Sequence, residues 1–128
     1  MDLKAYFENA KGTGVLATAD KAGIVDAALY GRPHVMTEKT VAFIMADKRS
    51  HANLQTNPHA AYLFVEAGPG YKGTRLYLTK TEEITDQARI AELRRSSHSK
   101  CPAEEGDIQK KSFLVYFRID NVRALAGE

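Results

Sequence analysis

The chain opens with apolar residues at helical spacing. Positions i, i+3, i+4 and i+7 of this stripe are Leu3, Tyr6, Phe7 and Ala10. This period is typical of an amphipathic helix that buries one face, so we predict a helix over residues 2–10. Asp2 can cap its N-terminus, and Gly12 and Gly14 are expected to end it, because glycine is favoured just beyond the last helical turn.

After this helix, short apolar or alternating segments separated by turn residues indicate β-strands. The predicted strands cover residues 14–19, 24–30, 34–36, 41–46, 59–66, 74–79 and 112–119. Residues 20–23 have the composition of a hairpin turn and residues 31–33 that of a bend. Residues 67–73 form a glycine-rich loop, and residues 99–111 form a polar one. Because short turns join most of these strands, we expect antiparallel pairing.

Two further helices are predicted. One covers residues 48–56, follows Asp47 as a natural N-cap, and ends at Asn57-Pro58 because proline cannot continue a helix. The other covers residues 86–98. Its residues expected to face inward are Ala88, Ala91 and Leu93, and those expected to be solvated are Arg89, Arg94 and Arg95.

The order of elements predicts a mainly β protein, a small antiparallel β-barrel that is closed or nearly closed, with peripheral helices. An open α+β sheet and a doubly wound parallel fold are the alternatives. The parallel fold is disfavoured because helices do not alternate regularly with strands. At 128 residues, the chain is expected to form one domain over residues 1–128.

The segment from Lys48 to Pro58 carries the strongest functional indication. A helix that opens with Lys48-Arg49-Ser50, directly after the apolar strand 41–46, brings backbone N–H groups, a guanidinium and a hydroxyl to one point. The first N–H groups of a helix have no helical partner, and they attract negative charge. The segment therefore predicts an anion site, and phosphate is the commonest biological occupant of such a site.

Charge and composition narrow the choice of partner. The chain has 18 basic and 16 acidic residues, a net charge of +2, and its basic residues are scattered. This distribution does not favour nucleic acid or an anionic membrane. No apolar stretch approaches the length of a membrane span, and the single cysteine, Cys101, excludes an internal disulfide. We therefore expect a soluble, cytoplasmic protein.

The histidines and the cysteine predict neither a metal site nor a nucleophilic site. His34, His51, His59 and His98 lack the spacing of zinc ligands. We expect His51 and His59, which flank the short helix, to face solvent, and Cys101 to be an ordinary loop cysteine. The sequence has neither a Gly-x-Ser-x-Gly nucleophile motif nor a Walker loop.

The element order, together with Arg-Ser-x-x-Asn-Leu-x-x-Asn-Pro at residues 49–58, resembles the pyridoxamine 5′-phosphate oxidase-like FMN-binding split-barrel proteins, particularly their small single-domain members. The resemblance covers residues 3–125, and its most specific part is residues 40–65. It implies an antiparallel split β-barrel, FMN as the cofactor, and a homodimer with flavin sites at its two-fold interface.

The resemblance also implies a set of site residues. In that family a basic residue, followed by a second basic or hydroxyl residue, holds the FMN phosphate, and neighbouring strands line the rest of the cofactor. By position, the phosphate residues are Arg49 and Ser50, with Asn53 as support. The strand residues are Ala28, Leu29, Tyr30, Arg32, Phe43, Ile44 and Met45, with Thr74 and Arg75 contributing, often across the dimer interface. Arg32, Lys48 or Arg75 could supply positive charge beside the flavin ring.

The reaction is less sharply implied than the cofactor. The sequence ends soon after Leu125, without the Arg-x-His segment of the true oxidases, and it has Lys48-Arg49-Ser50 where they have a longer Ser-Arg-Lys signature. We therefore do not predict vitamin oxidase activity. We expect an FMN-dependent oxidoreductase that transfers hydride or electrons between a reduced nicotinamide and a small acceptor, or that acts on a small organic substrate. The alternatives are a non-catalytic FMN carrier, a haem-binding split barrel and a deazaflavin-using relative.

Overall fold

The computed structural model describes residues 2–96 and 112–126. These residues contain three helices and seven strands. The helices are α1 (Leu3–Asn9), α2 (Arg49–Thr56) and α3 (Gln87–Ser96). The strands are β1 (Gly12–Ala19), β2 (Val25–Tyr30), β3 (His34–Thr37), β4 (Thr40–Ala46), β5 (His59–Glu66), β6 (Gly73–Ile84) and β7 (Ser112–Ala124). The last two strands are longer than predicted, since the expected ends were residues 79 and 119.

The seven strands form one antiparallel sheet in the order β2-β1-β5-β6-β7-β4-β3. The rings of Tyr30 on β2 and Phe43 on β4 lie 5.8 Å apart. In a flat sheet these strands, five positions apart, would be separated by about 24 Å, at about 4.8 Å per strand. The sheet therefore curls into a barrel, with its two edge strands joined by residues 31–33. The predicted antiparallel barrel with peripheral helices is confirmed.

The barrel interior is filled by aromatic and aliphatic side chains. They are Leu16, Val41, Phe43, Met45, Tyr62, Phe64, Leu76, Leu78, Phe113, Val115 and Phe117, with Leu3 and Phe7 from α1 and Leu54 from α2. A smaller cluster consists of Ala42, Ile44 and Leu114 packed against Ile90 of α3. Side chains alternate along a strand, so β4 supplies both clusters, one on each face of the sheet.

The first helix is capped as predicted but ends earlier. The Asp2 side chain accepts a hydrogen bond from the first turn, and Ala10, rather than a glycine, is the C-cap. Gly12 and Gly14 belong to β1. At Gly14 an added side chain would collide with the Tyr62 hydroxyl, so this glycine serves a close approach between strands rather than a helix end.

The rotation of α3 about its axis differs from the prediction. Ile90 is its buried residue, and Ala88, which was expected to face inward, is exposed. Two residues correspond to about 200° around a helix, so burying Ile90 turns Ala88 outward. Arg94 was expected to be solvated but is half-buried and donates to the Ser112 hydroxyl at 3.0 Å. The remaining predictions hold: Ala91 and Leu93 are half-buried, and Arg89 and Arg95 are exposed.

Some predictions fall elsewhere in the chain. The polar loop 99–111, together with His98 and Cys101, lies outside the described residues. Among the helices of residues 2–96 and 112–126, none combines the length and the apolar character needed to cross a bilayer.

Candidate functional site at the N-terminus of the second helix

The second helix begins directly after β4 and has no side-chain cap. Lys48 occupies the N-cap position with an extended backbone, and no side chain caps the first turn. The prediction of Asp47 as N-cap was therefore wrong by one residue. The Lys48 N–H donates to the Ala46 carbonyl at 2.9 Å, so this residue still belongs to the turn that precedes the helix. The Asp47 carboxylate lies 3.4 Å from Nδ1 of His51 instead.

The first turn of α2 therefore keeps several hydrogen-bond donors unused. The helical ladder starts with the Ala52 N–H, which donates to the Lys48 carbonyl at 2.9 Å. Within residues 2–96 and 112–126, no hydrogen bond engages the N–H groups of Arg49, Ser50 and His51, or the Ser50 hydroxyl. Ser50 is only 4% exposed. Unsatisfied donors at a helix N-terminus favour a bound anion.

Two cationic side chains accompany these donors. Lys48 and Arg49 are both exposed, whereas the buried face of α2 consists of Ser50, His51, Asn53 and Leu54. The Arg49 guanidinium forms no hydrogen bond or ion pair with another described residue. It can therefore reach a ligand without breaking a hydrogen bond or ion pair to the part of the chain that the structure describes.

Asn53 attaches α2 to the barrel. Its Nδ2 donates to the Thr18 hydroxyl of β1 at 3.0 Å, and both residues are buried. A buried polar group that loses its partner destabilises a fold by about 1–3 kcal/mol. Asn53 was expected to support the first turn of α2, and its observed role is to hold this helix against β1.

His51 is buried, so the prediction that it faces solvent was wrong. It is 7% exposed, and its ring stacks on Phe113 with centroids 3.8 Å apart and planes 13° apart. Its Nε2 lies 3.1 Å from both carboxylate oxygens of Glu83. The residues of this contact were missed because β6 was expected to end at residue 79. The polar residues 81–83, Thr-Glu-Glu, gave no signal in the sequence that the strand continues.

Glu83 is the acceptor at the centre of this contact. Lys80 Nζ lies 2.7 Å from its carboxylate, and Gln55 Nε2 donates to it at 3.0 Å. Burial alone would raise the pKa of Glu83, but the hydrogen bonds from Lys80, Gln55 and His51 outweigh it and lower the pKa to about 2. The side chain is therefore a carboxylate at neutral pH.

The other histidines of the described chain lie apart from this turn. His59 is exposed, as predicted, with Nδ1 3.4 Å from the Thr79 hydroxyl. Burial lowers the pKa of His34, because it penalises the charged imidazolium. Among the described residues, no group of three or more His, Cys, Asp or Glu side chains is arranged to hold a metal ion.

The strand β2, expected to line the site, lies against α2. Ala28 and Tyr30 are half-buried, and Leu29, on the opposite face, is 50% exposed. Arg32 has a structural contact: its guanidinium donates to the carbonyls of Phe7 and Ala10 at 2.8 and 2.6 Å. It satisfies carbonyls at the end of α1 rather than extending towards α2.

The β4 residues expected at the site have buried side chains. Phe43 and Met45 point into the barrel, and Ile44 belongs to the cluster beneath α3. Their backbone pairs with β7 on one side. The pairing with β3 on the other side ends at Ala42, so in the described chain no strand covers the second edge of residues 43–45. Any ligand would meet these residues through their backbone groups.

Thr74 and Arg75 are not brought to α2 within one chain. Glu83 of β6 contacts His51 and Gln55 of α2, and Arg75 lies eight residues earlier, about 26 Å along an extended strand at about 3.3 Å per residue. Thr74 is buried and donates to the Arg123 carbonyl, while Arg75 Nε donates to the Ala124 carbonyl at 2.8 Å. Within this chain, Thr74 and Arg75 therefore lie away from the first turn of α2.

Comparisons with known proteins agree with this fold. The model of the pyridoxamine 5′-phosphate oxidase family matches residues 3–126. A search of curated proteins gave no significant match.

Solved structures share the barrel at low sequence identity. An FMN-binding protein from Syntrophomonas wolfei superposes with a TM-score of 0.78 at 12% identity, covering 99% of this chain and 86% of that one. HupZ from Group A Streptococcus gives 0.70 at 18% identity, covering 98% and 96%. An F420 reductase gives 0.62 at 16% identity, covering 92% and 94%. At these identities the structures support the fold alone, whereas the family model spans almost the whole sequence. The chain belongs to the pyridoxamine 5′-phosphate oxidase family.

Proposed function

We propose that the protein binds FMN, with the cofactor phosphate at the first turn of α2, and that it acts as an oxidoreductase. The observation that carries this proposal is a set of donors that no other described residue engages: three backbone N–H groups, the Ser50 hydroxyl and the Arg49 guanidinium. A phosphate monoester near pH 7 has a charge of about −1.5 to −2 and three acceptor oxygens. The turn therefore offers enough hydrogen-bond donors for the three phosphate oxygens, and a positive charge opposite the negative charge of the phosphate.

Binding energy from this turn is sufficient for a resident cofactor. A hydrogen bond to a charged group contributes on the order of 1.5–3 kcal/mol, so three or four of them support micromolar affinity or better. Asp47 is the carboxylate nearest in sequence to this turn, and one of its oxygens lies 3.4 Å from Nδ1 of His51.

The polar backbone edge of residues 43–45 is a suitable neighbour for the flavin ring. Because β3 stops pairing at Ala42, N–H and C=O groups along this edge can bond to the polar rim of a ring. The ring edge also has to accept negative charge on reduction. Arg32 lies at the end of α1, where it donates to two carbonyls, so within one chain Lys48 is the remaining candidate for positive charge. Arg75, which donates to the Ala124 carbonyl, could contribute only from a second copy.

Bound FMN would supply the hydride and electron chemistry. The chain's own residues would bind the phosphate, orient the ring and set its electrostatic surroundings. We propose a reduced nicotinamide as electron donor and a small organic molecule as acceptor. The family membership supports this reaction class, and the solved F420 reductase has the same fold.

We also propose a homodimer that completes the site. Two observations support it: Thr74 and Arg75 are far from α2 within one chain, and the edge strand β2 exposes Val25 (76%) and Leu29 (50%). Exposed apolar residues on an edge strand favour association. Light scattering coupled to size exclusion tests the dimer directly, and a monomer at micromolar concentration would rule it out.

The proposed cofactor and reaction are tested on the purified protein. We expect a yellow protein that releases FMN on denaturation, or a colourless protein that gains a flavin spectrum with one FMN per chain on reconstitution. Anaerobic bleaching of the bound flavin by NADH or NADPH would support the oxidoreductase. A protein that holds FMN but is not reduced by either nicotinamide would be a carrier. A Soret band, or binding of a deazaflavin but not of FMN, would overturn the proposal.

A further inference from the structure

A partly buried group of side chains, with His51 and Phe113 at its buried side, connects the first turn of α2 to β6 and β7. We call it the His51 clamp; it consists of His51, Gln55, Lys80, Glu83 and Phe113. The ring of His51 stacks on Phe113 at 3.8 Å, and its Nε2 lies 3.1 Å from both Glu83 oxygens. Lys80 and Gln55 bind the same carboxylate.

The clamp acts on the residue that carries one of the unused donors. His51 is the third residue of α2, and its own N–H belongs to the set of donors that precede the helical ladder. In most helices a capping side chain fixes the geometry of this turn. Here the N-cap residue, Lys48, makes no such bond. The orientation of the turn therefore depends on tertiary contacts, and those of His51 lie closest to the donors.

The Glu83 carboxylate has hydrogen-bond partners other than His51. Lys80 and Gln55 would still bind the Glu83 carboxylate if the imidazole were absent. Loss of the His51–Glu83 contact would therefore not leave a buried charge without a partner, which is the usual reason that such changes unfold proteins. What the contact adds is a fixed position for the backbone of the turn.

We propose that His51 and Glu83 are positioning residues that hold the N–H groups and the hydroxyl of the α2 turn in place for the phosphate of the ligand. This inference rests on the proposed binding of FMN. Binding at a pre-formed set of donors costs less ordering than binding at a mobile one. The clamp should therefore matter for the phosphate more than for the flavin ring, because the ring would lie against the backbone of residues 43–45 and not at the donors of the turn.

Riboflavin, which is FMN without its phosphate, provides the matched ligand. The test compares the dissociation constants of FMN and riboflavin, measured by quenching of flavin fluorescence, for the wild type and three variants. His51→Phe keeps an aromatic ring to stack on Phe113 but removes the polar contacts of His51 with Glu83, Gln55 and Asp47. Glu83→Gln keeps the size and an acceptor oxygen but removes the charge. The third variant combines the two changes.

The expected effects concern the preference for FMN over riboflavin. His51→Phe should reduce this preference about tenfold, because the bond to the Glu83 carboxylate is lost. Glu83→Gln should reduce it about threefold, because that bond becomes a weaker, uncharged one. The riboflavin affinity should change by less than about twofold in both variants. The double variant should fall no further than His51→Phe, because Glu83 acts on the turn through His51. Tyr6→Phe is the control: it removes a 2.6 Å hydrogen bond to Glu66, at the end of β5 remote from α2, and should leave the preference unchanged.

Each result separates the inference from the function on which it rests. An unchanged preference in a folded single variant would overturn the role of that residue, and a double variant whose loss is the product of the two single losses would overturn their joint action. Thermal melts monitored by circular dichroism establish that each variant is folded. A wild-type protein with no preference for FMN over riboflavin would instead refute the phosphate site itself, and the inference with it.

Discussion

Replacing Arg49 by alanine should weaken FMN binding without weakening the fold. The guanidinium is exposed and makes no hydrogen bond or ion pair with another described residue, so its removal breaks none of the polar contacts among those residues. A charge-assisted bond to phosphate contributes about 1.5–3 kcal/mol, and solvent exposure reduces that figure. We expect a loss of about 1–2 kcal/mol, which is roughly a 5- to 30-fold rise in the dissociation constant.

The binding should weaken rather than vanish, since the three backbone donors and the Ser50 hydroxyl remain. Arg49→Lys should give an intermediate loss, because lysine keeps the charge but cannot bind two phosphate oxygens with a planar fork. Titration of flavin fluorescence with FMN and with riboflavin provides the measurement. Riboflavin affinity should not change in either variant.

A control variant removes one positive charge elsewhere. Lys4 is exposed on α1, the helix whose Tyr6 bonds to Glu66 at the end of β5 farthest from α2. Lys4→Ala should leave both affinities unchanged. If Arg49→Ala binds FMN within twofold of the wild type, Arg49 does not hold the phosphate. If the two alanine variants lose affinity equally, the effect is one of net charge and not of a contact.

Three further predictions concern stability. Asn53→Ala should lower the free energy of unfolding by about 1–3 kcal/mol in urea titrations, because the buried Thr18 hydroxyl loses its partner; an unchanged midpoint would contradict the structural role of Asn53. Glu83 has a folded pKa of about 2 against an ordinary value of 4.5, so its carboxylate stabilises the fold above pH 4.5 and this stabilisation disappears as the pH falls towards 2. In urea titrations between these pH values, the unfolding free energy of Glu83→Gln should therefore fall less steeply with pH than that of the wild type. Arg32→Gln should lower the unfolding free energy by about 1–3 kcal/mol, because carbonyls of α1 lose a charged donor, while FMN affinity stays within about twofold. Unchanged stability with weakened FMN binding would instead show that Arg32 contacts the cofactor.

The barrel was predictable because its strands carry local signals. Alternating or continuous apolar segments bounded by Gly, Pro and Asp turns fixed five of the strands to within about two residues. The prediction failed where polar residues extend a strand. Residues 81–83 are Thr-Glu-Glu, which reads as the end of β6, yet pairing with β7 continues to Ile84. Partner strands decide this extension, and a single sequence does not contain their register.

The candidate site was predictable to a similar extent. The donors of α2 follow from its position in sequence, since any helix start has unpaired N–H groups and Lys48-Arg49-Ser50 adds charge and a hydroxyl. His51 was misplaced because a polar residue beside a helix start is usually solvated. Its burial depends on Glu83 and Phe113, which come from β6 and β7. A contact assembled from three distant segments has no signature in any one of them.

The absence of a capping side chain and the presence of the His51 clamp belong to one arrangement. An Asp, Ser or Thr at the position of Lys48 would stabilise α2 by about 1 kcal/mol, but it would do so by bonding to the same N–H groups that a ligand requires. Lysine leaves these groups unused and replaces a competing acceptor with a positive charge. The helix then needs other attachments, and the structure provides them from the opposite side: Asn53 to Thr18, and His51 to Glu83. The turn is thereby held in place by contacts that do not consume its donors, which is the arrangement that an anion-binding turn requires.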